Sequence, residues 1–248
     1  NSQRLIDRIT KLNAMHKQTI NLLKDNISLA NRYQEALVQQ SRVLTIWRAK
    51  QNLHQQLGGL YNQTMELSEL LNSLYNKNIS LQQQIKTQAD FNDVYALETQ
   101  LLFNNQMITF TQYNITELSL KRKLAQAGFM LLKSSDIHTL QTVTDVYQDA
   151  IKQFTQLEQS LKKVVDILTK EESHVRQDDL KIEFLNLKKS VKSKMVVITT
   201  QVKTLQKDLE AHQTALKQQL AVRQSLTEYR IEAWPDILAQ LSQIPKQF

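Results

Sequence analysis

The chain has no cysteine, three glycines and two prolines in 248 residues. Without cysteine there are no disulfides and no thiolate metal ligands. Average chains carry about 7% Gly and about 5% Pro, so breakers this rare imply few, long helices and little sheet. Three glycines cannot build a phosphate-cradling loop, and no Gly-x-Ser-x-Gly nucleophile elbow occurs. Aromatic residues make up only 6%. The core is therefore expected to be thin and built from Leu, Ile and Val, as in elongated bundles. Long apolar runs are missing too. Met195-Val196-Val197-Ile198 is among the longest, far short of the roughly 20 residues that span a bilayer. No signal-peptide pattern is visible. The chain begins in mid-pattern at Asn1 and stops abruptly at Phe248, as a piece of a larger protein would.

What is present is periodicity. From Asp178 to Ala233 there is no Gly or Pro, and apolar residues recur at alternating steps of four and three: Leu180, Phe184, Leu187, Val191, Met195, Ile198, Val202, Leu205, Leu209, then His212, Leu216 and Leu220. Such spacing keeps one stripe on one helix face. A helix of about 55 residues is about 80 Å long, too long for a compact globule and suited to a bundle or coiled coil.

The same pattern fills the rest of the chain. Asn1 to Leu57 reads as a first helix with Leu5, Ile9, Leu12, His16, Ile20, Leu23 and Ile27 on one face, continuing to Trp47 and Leu57. Gly58-Gly59 is then a turn between antiparallel helices or a hinge in one rod, and the turn is the expectation. Leu60 to Thr87 is a second helix, with Tyr75-Asn76-Lys77-Asn78 as a weakly helical kink or connector. Ala89 to Lys133 is a third, carrying Phe91, Val94, Leu97, Leu101, Ile108, Ile115, Leu118 and Leu124, with Gly128 tolerated near its end. Ser134-Ser135-Asp136 is a capping signal for a fourth helix along Ile137, Leu140, Val143, Val146 or Tyr147, Ala150, Phe154, Leu157, Leu161, Val164 and Leu168. Polar residues 171–179 form a loop before the long helix. Trp234-Pro235 is expected to stop that helix and open a short amphipathic one.

The fold expectation is all-α: an elongated, coiled-coil-like bundle of about five long antiparallel helices plus a short C-terminal amphipathic helix. Residues 1–233 form the bundle, with sub-bundles at 1–133 and 134–233, and 234–248 form a membrane-proximal segment.

Candidate chemistry is sparse. Five histidines are scattered, and none shows the spacing of a helical zinc or di-metal site. No cofactor or metal is expected. His16 and His212 fall on apolar stripes and are candidates for a pH-sensitive seam, although a packing histidine is the commoner case. A thin rod rarely supplies a catalytic pocket, so an enzyme is not expected. The net charge is +7 and the pI about 9.4, which permits attraction to acidic surfaces. Lys181, Lys188, Lys189, Lys192 and Lys194 form the densest basic patch, with Lys181, Lys188 and Lys192 on one face. Aromatic interleaving and Arg clustering are absent, so no specific nucleic-acid partner is expected. Sequons at Asn26, Asn62, Asn78 and Asn114 read as chance matches in an Asn- and Ser-rich chain. Trp234, Ile237, Leu238, Leu241 and Phe248 are candidates for a membrane interface.

At the C-terminus, Trp234-Pro235-Asp236-Ile237-Leu238-Ala239-Gln240-Leu241 followed by Ile244-Pro245 resembles the junction before the first membrane span in large bacterial channels of the small-conductance mechanosensitive superfamily. That resemblance covers about 15 residues and the general helical character. It implies a non-catalytic periplasmic helical region of an inner-membrane channel, acting as spacer, assembly surface or force-coupling element. Homo-oligomers through helix packing and a membrane surface near the C-terminus would be its partners. Glu117-Leu118-Ser119-Leu120 through Asp136 to Leu161 is similar to helices of tandem four-helix-bundle sensor domains of bacterial receptors and histidine kinases. This second resemblance implies a small-molecule ligand, but Trp234-Pro235 interrupts the straight path to a membrane span that such domains use. A soluble coiled-coil scaffold binding acidic membranes is the third reading.

Overall fold

A computed structural model describes the backbone of residues 1–243. Side chains from 229 onward are described only at Pro235 and Ala239. The fold is all-α, with four helices and no strand among the described residues: α1 (Ser2–Thr87), α2 (Phe91–Lys133), α3 (Ile137–Glu172) and α4 (Asp178–Gln243). Two compact units divide the chain, residues 1–52 and residues 53–248. The loop at 134–136 lies inside the second.

The first unit is a stretch of α1 in which every residue from 1 to 45 is exposed. The second is an elongated four-helix bundle built from residues 53–87 of α1 and from α2, α3 and α4. Short loops join the helices, so successive helices run antiparallel. Helix α3, with 36 residues, is about 54 Å long against a helix diameter of about 10 Å.

Local chemistry explains the turns. The Asp90 carboxylate accepts a hydrogen bond from the Asn92 N–H at 3.0 Å and caps α2. The Asp136 carboxylate accepts one from the Thr139 N–H at 2.7 Å and caps α3. These acceptors satisfy N–H groups that a helix start leaves unpaired. The α3–α4 loop is pinned by Val175, which is buried in the core.

The core lies chiefly between α3 and α4. Phe154, Leu161, Val164 and Leu168 meet Phe184, Val191, Ile198 and Leu205, all buried. Phe103 of α2 stacks on Phe184 with ring centroids 5.3 Å apart. Burying each such side chain contributes about 1.5–3 kcal/mol, and the 3.6-residue period supplies them in an unbroken row.

Three expectations are corrected. Gly58-Gly59 is not a turn: both residues lie inside α1, and no glycine has a positive φ. Residues 75–78 are likewise helical, because Tyr75 and Asn78 bond to side chains of α2 across the seam. Helix α4 runs through Trp234-Pro235 to Gln243, with Pro235 inside it, so there are four long helices and no separate short one up to that point. Phe91, at the first turn of α2, is 74% exposed. Phe248, with Ile244 and Pro245, lies outside the described residues.

Candidate functional site

The polar groups of the second unit converge where α1, α2 and α4 meet. Glu117 sits on the buried side of α2, its side chain only 4% exposed. It lies beside Leu118 and three residues before Leu120, both core residues. Two lysines neutralise it. Lys121, one turn along, has Nζ 3.0 Å from Oε1, and Lys194 of α4 has Nζ 3.0 Å from Oε2. The Lys194 contact is an ion pair without an aligned hydrogen bond, because Oε2 has no hydrogen-bond partner. Asn114 Oδ1, one turn before Glu117, is buried and unpartnered as well. Both residues line an open cleft of about 310 Å³ with Gln63, Glu66, Leu67 and Lys194. Two buried acceptors facing a cleft this size call for hydrogen-bond donors, and water meets that need with several partners available.

A second polar seam fixes α1 against α2. Asn104 is 1% exposed. Its Nδ2 donates to the Leu74 carbonyl at 2.8 Å and to Asn78 Oδ1 at 2.6 Å. Asn78 Nδ2 donates in turn to Asn105 Oδ1 at 2.7 Å. A buried amide satisfied only in one register selects that register, as a polar seam residue does in a coiled coil. At the far end of the bundle, Tyr95 Oη donates to the His174 carbonyl at 2.9 Å. The Arg176 guanidinium lies 5.0 Å from the centre of the Tyr95 ring, a cation–π contact.

The residues singled out from sequence are scattered across the molecule. Lys181 and Lys192 are exposed on α4, whereas Lys188 is half-buried and paired with Glu172 at 3.1 Å. Lys194 turns toward Glu117. The patch is thus partly spent on internal ion pairs. His16 is exposed in the first unit. His212 meets the Tyr147 ring edge-on, with centroids 4.9 Å apart. Burial, and secondarily the Asp208 carboxylate, holds the Tyr147 hydroxyl above its usual value. Trp234, Ile237, Leu238 and Leu241 lie on α4, and their side chains are outside the described ones. Of the sequons, Asn78 and Asn114 have amides turned into seams.

Sequence reasoning missed Glu117, Asn114 and the Asn78–Asn104 pair. A signal was available: Asn104, Ile108, Thr111, Ile115 and Leu118 follow steps of four and three, so Asn104 and Thr111 stand at seam positions where an apolar residue is the default. Among the described residues, no group of three or more His, Cys, Asp or Glu is placed to hold a metal ion, and no helix is long and apolar enough to cross a membrane. The chain matches no protein-family model, no curated protein and no solved structure.

Proposed function

We infer that this chain is a non-catalytic extramembrane helical region of a bacterial membrane protein that transmits displacement along α4. The observation that carries the reading is α4 itself. Its first half supplies buried residues from Leu180 to Leu205, and the same helix continues to Gln243. A movement of the bundle is therefore passed along one continuous element. The resemblance at Trp234–Leu241 favours a mechanosensitive-type channel in the inner membrane, with the bundle in the periplasm as spacer and force coupler and homo-oligomers formed through helix packing. Exposed apolar residues of α4, among them Ile182, Leu185 and Val196, are available for such packing.

The open reading frame around this chain tests the reading. Several membrane spans on the C-terminal side, followed by a pore segment, support the channel. A stop codon directly after Phe248 overturns it.

One observation favours a second reading, the ligand-sensing bundle of a receptor. Because α4 does not break at Pro235, the objection that its exit path is interrupted falls away, and the Glu117 cleft offers polar groups between helices. A single span followed by signalling helices, with a thermal shift on adding a small polar ligand that Glu117→Gln abolishes, would support it.

A further inference from the structure

Charge is unevenly divided between the two units. Residues 1–52 contain nine Lys or Arg and three Asp or Glu, hence six of the seven net positive charges of the chain. In the same unit Leu5, Ile9, Leu12, Ile20, Leu23 and Ile27 are 50–61% exposed. A helix draws most of its stability from packing an amphipathic face, and a contiguous exposed apolar face of this length marks an interaction surface.

The spacing and, above all, the charge distribution of the first 30 residues point to the surface that suits it. The apolar line from Leu5 through His16 to Ile27 advances by about 3.7 residues per step, close to the roughly 3.6 of a straight helix and away from the roughly 3.5 of a left-handed two-stranded coil, although an 11-residue repeat that favours a right-handed coil has the same spacing. Met15, Leu22 and Leu29 lie about 100–140° round the helix from the stripe, in the sector that also carries Arg4, Arg8 and Lys11. The charges are also sorted around the helix. Lys17 and Lys24 border one edge of the apolar face, and Arg4, Arg8 and Lys11 border the other. Asp7 and Asp25, 18 residues apart in sequence, stand about five full turns apart and so share one line, opposite the apolar stripe. Cations flank the apolar face and anions point away from it, the arrangement that complements an anionic interface.

We propose that residues 4–29 are a docking helix for an anionic lipid bilayer surface. The Leu5–Ile27 line lies toward the acyl chains, and the bordering lysines and arginines reach the headgroup phosphates. The inference needs only the first unit and stands apart from the role given to α4, so a stop codon after Phe248 would leave it intact.

The test is co-sedimentation of the full chain with vesicles of phosphatidylcholine, with and without phosphatidylserine. Binding is expected only with phosphatidylserine and is weakened by salt. Ile20→Glu with Leu23→Glu should reduce it by about tenfold or more, since two apolar side chains are lost from the interface and two anions enter it. Lys17→Glu with Lys24→Glu should reduce it by about tenfold or more through charge reversal. Lys189→Glu with Lys192→Glu, on exposed positions of α4, should leave it unchanged. All these positions are exposed, so the melting of the bundle should not move and loss of folding is separable from loss of binding. Binding without phosphatidylserine dependence, or binding untouched by the Ile20/Leu23 change, would overturn the proposal. So would a dimer in sedimentation equilibrium that the same double variant dissolves, because a second copy would then cover this face.

Discussion

Replacing Gly58 and Gly59 by alanine should stabilise the protein. Both residues lie in the interior of α1, both are exposed, and a Cβ built on either meets no atom within 4 Å. Neither has a positive φ, so alanine adopts the native backbone without strain. Alanine is better than glycine in a helix interior by about 1 kcal/mol, largely because glycine leaves the unfolded chain freer. With no clash to offset the gain, Gly58→Ala with Gly59→Ala should contribute about 2 kcal/mol to the helix there. For a unit of this size about 1 kcal/mol moves Tm by roughly 2–4 °C, so a cooperative melt should rise by about 4–8 °C. Circular dichroism melts give the shift, and hydrogen exchange at amides 58–63 locates it, since protection reports local opening. A lower Tm, or faster exchange at those amides, would mean that the glycines serve a bend or a close approach and would refute the reading of α1 as continuous there.

Phe154→Ala, in the α3–α4 core with no exposed surface, should cost about 3–5 kcal/mol in urea unfolding; a loss below about 1 kcal/mol would mean that the ring is not packed. Glu117→Ala should cost about 1–3 kcal/mol. Losing one partner of a buried pair is expensive, but Lys121 and Lys194 are 39% and 28% exposed, so water takes up part of their charge. Glu117→Met, which fills the space without a charge, should sit close to the parent, and a loss equal to that of the alanine variant would show that the carboxylate itself is required. The Asp136 carboxyl is held below its usual 3.8, first by the Thr139 backbone N–H and then by the Thr139 and Ser134 side chains. Its contribution is therefore complete above the unfolded value and is lost as pH falls through the lower folded one. Asp136→Asn caps without titrating and should flatten the acid limb of the Tm–pH curve; an unchanged slope would refute the capping role.

Secondary structure was largely legible because burial here follows a single period. The stripe of α3 from Leu140 to Leu168 and that of α4 from Leu180 to Leu205 were read directly from spacing, and they make the core. Errors fell where a residue's average habit was taken for its local one. Gly58-Gly59 and residues 75–78 were read as interruptions on intrinsic propensity, which is a small term, about 1 kcal/mol per residue. The Tyr75, Asn78 and Asn104 side chains bond across the α1–α2 seam, and such contacts outweigh it. The Glu117 cleft was not legible for a different reason. Periodicity identifies the face on which Glu117 lies, but the partners that compensate it stand one turn away on α2 and 77 positions along on α4. The approach of Lys194 depends on how α2 and α4 are staggered, which spacing within either helix does not encode. The same holds in the lysine patch on α4, where Lys188 and Lys194 are paired to carboxylates of other helices, partners that spacing along α4 does not reveal.

Pro235 bears on the role given to α4. A proline within a helix lacks an N–H, and its ring crowds the carbonyl four residues earlier, at Ile231, so the helix forfeits about 3 kcal/mol. In the packed part of the bundle that loss would have to be absorbed by neighbours. No described residue after Leu205 is buried, however, so the penalty falls outside the described core. Pro235→Ala should then restore the bond to Ile231 and raise hydrogen-exchange protection at amides 231–238. The Tm of the bundle should stay where it is, because the stabilised turn lies beyond the cooperative core. If helicity or Tm instead falls, Pro235 is a helix start, as its sequence context with Trp234 implies, and α4 ends before it. In that case the bundle passes displacement on through a joint rather than a rod, and the force-coupling role loses its main support.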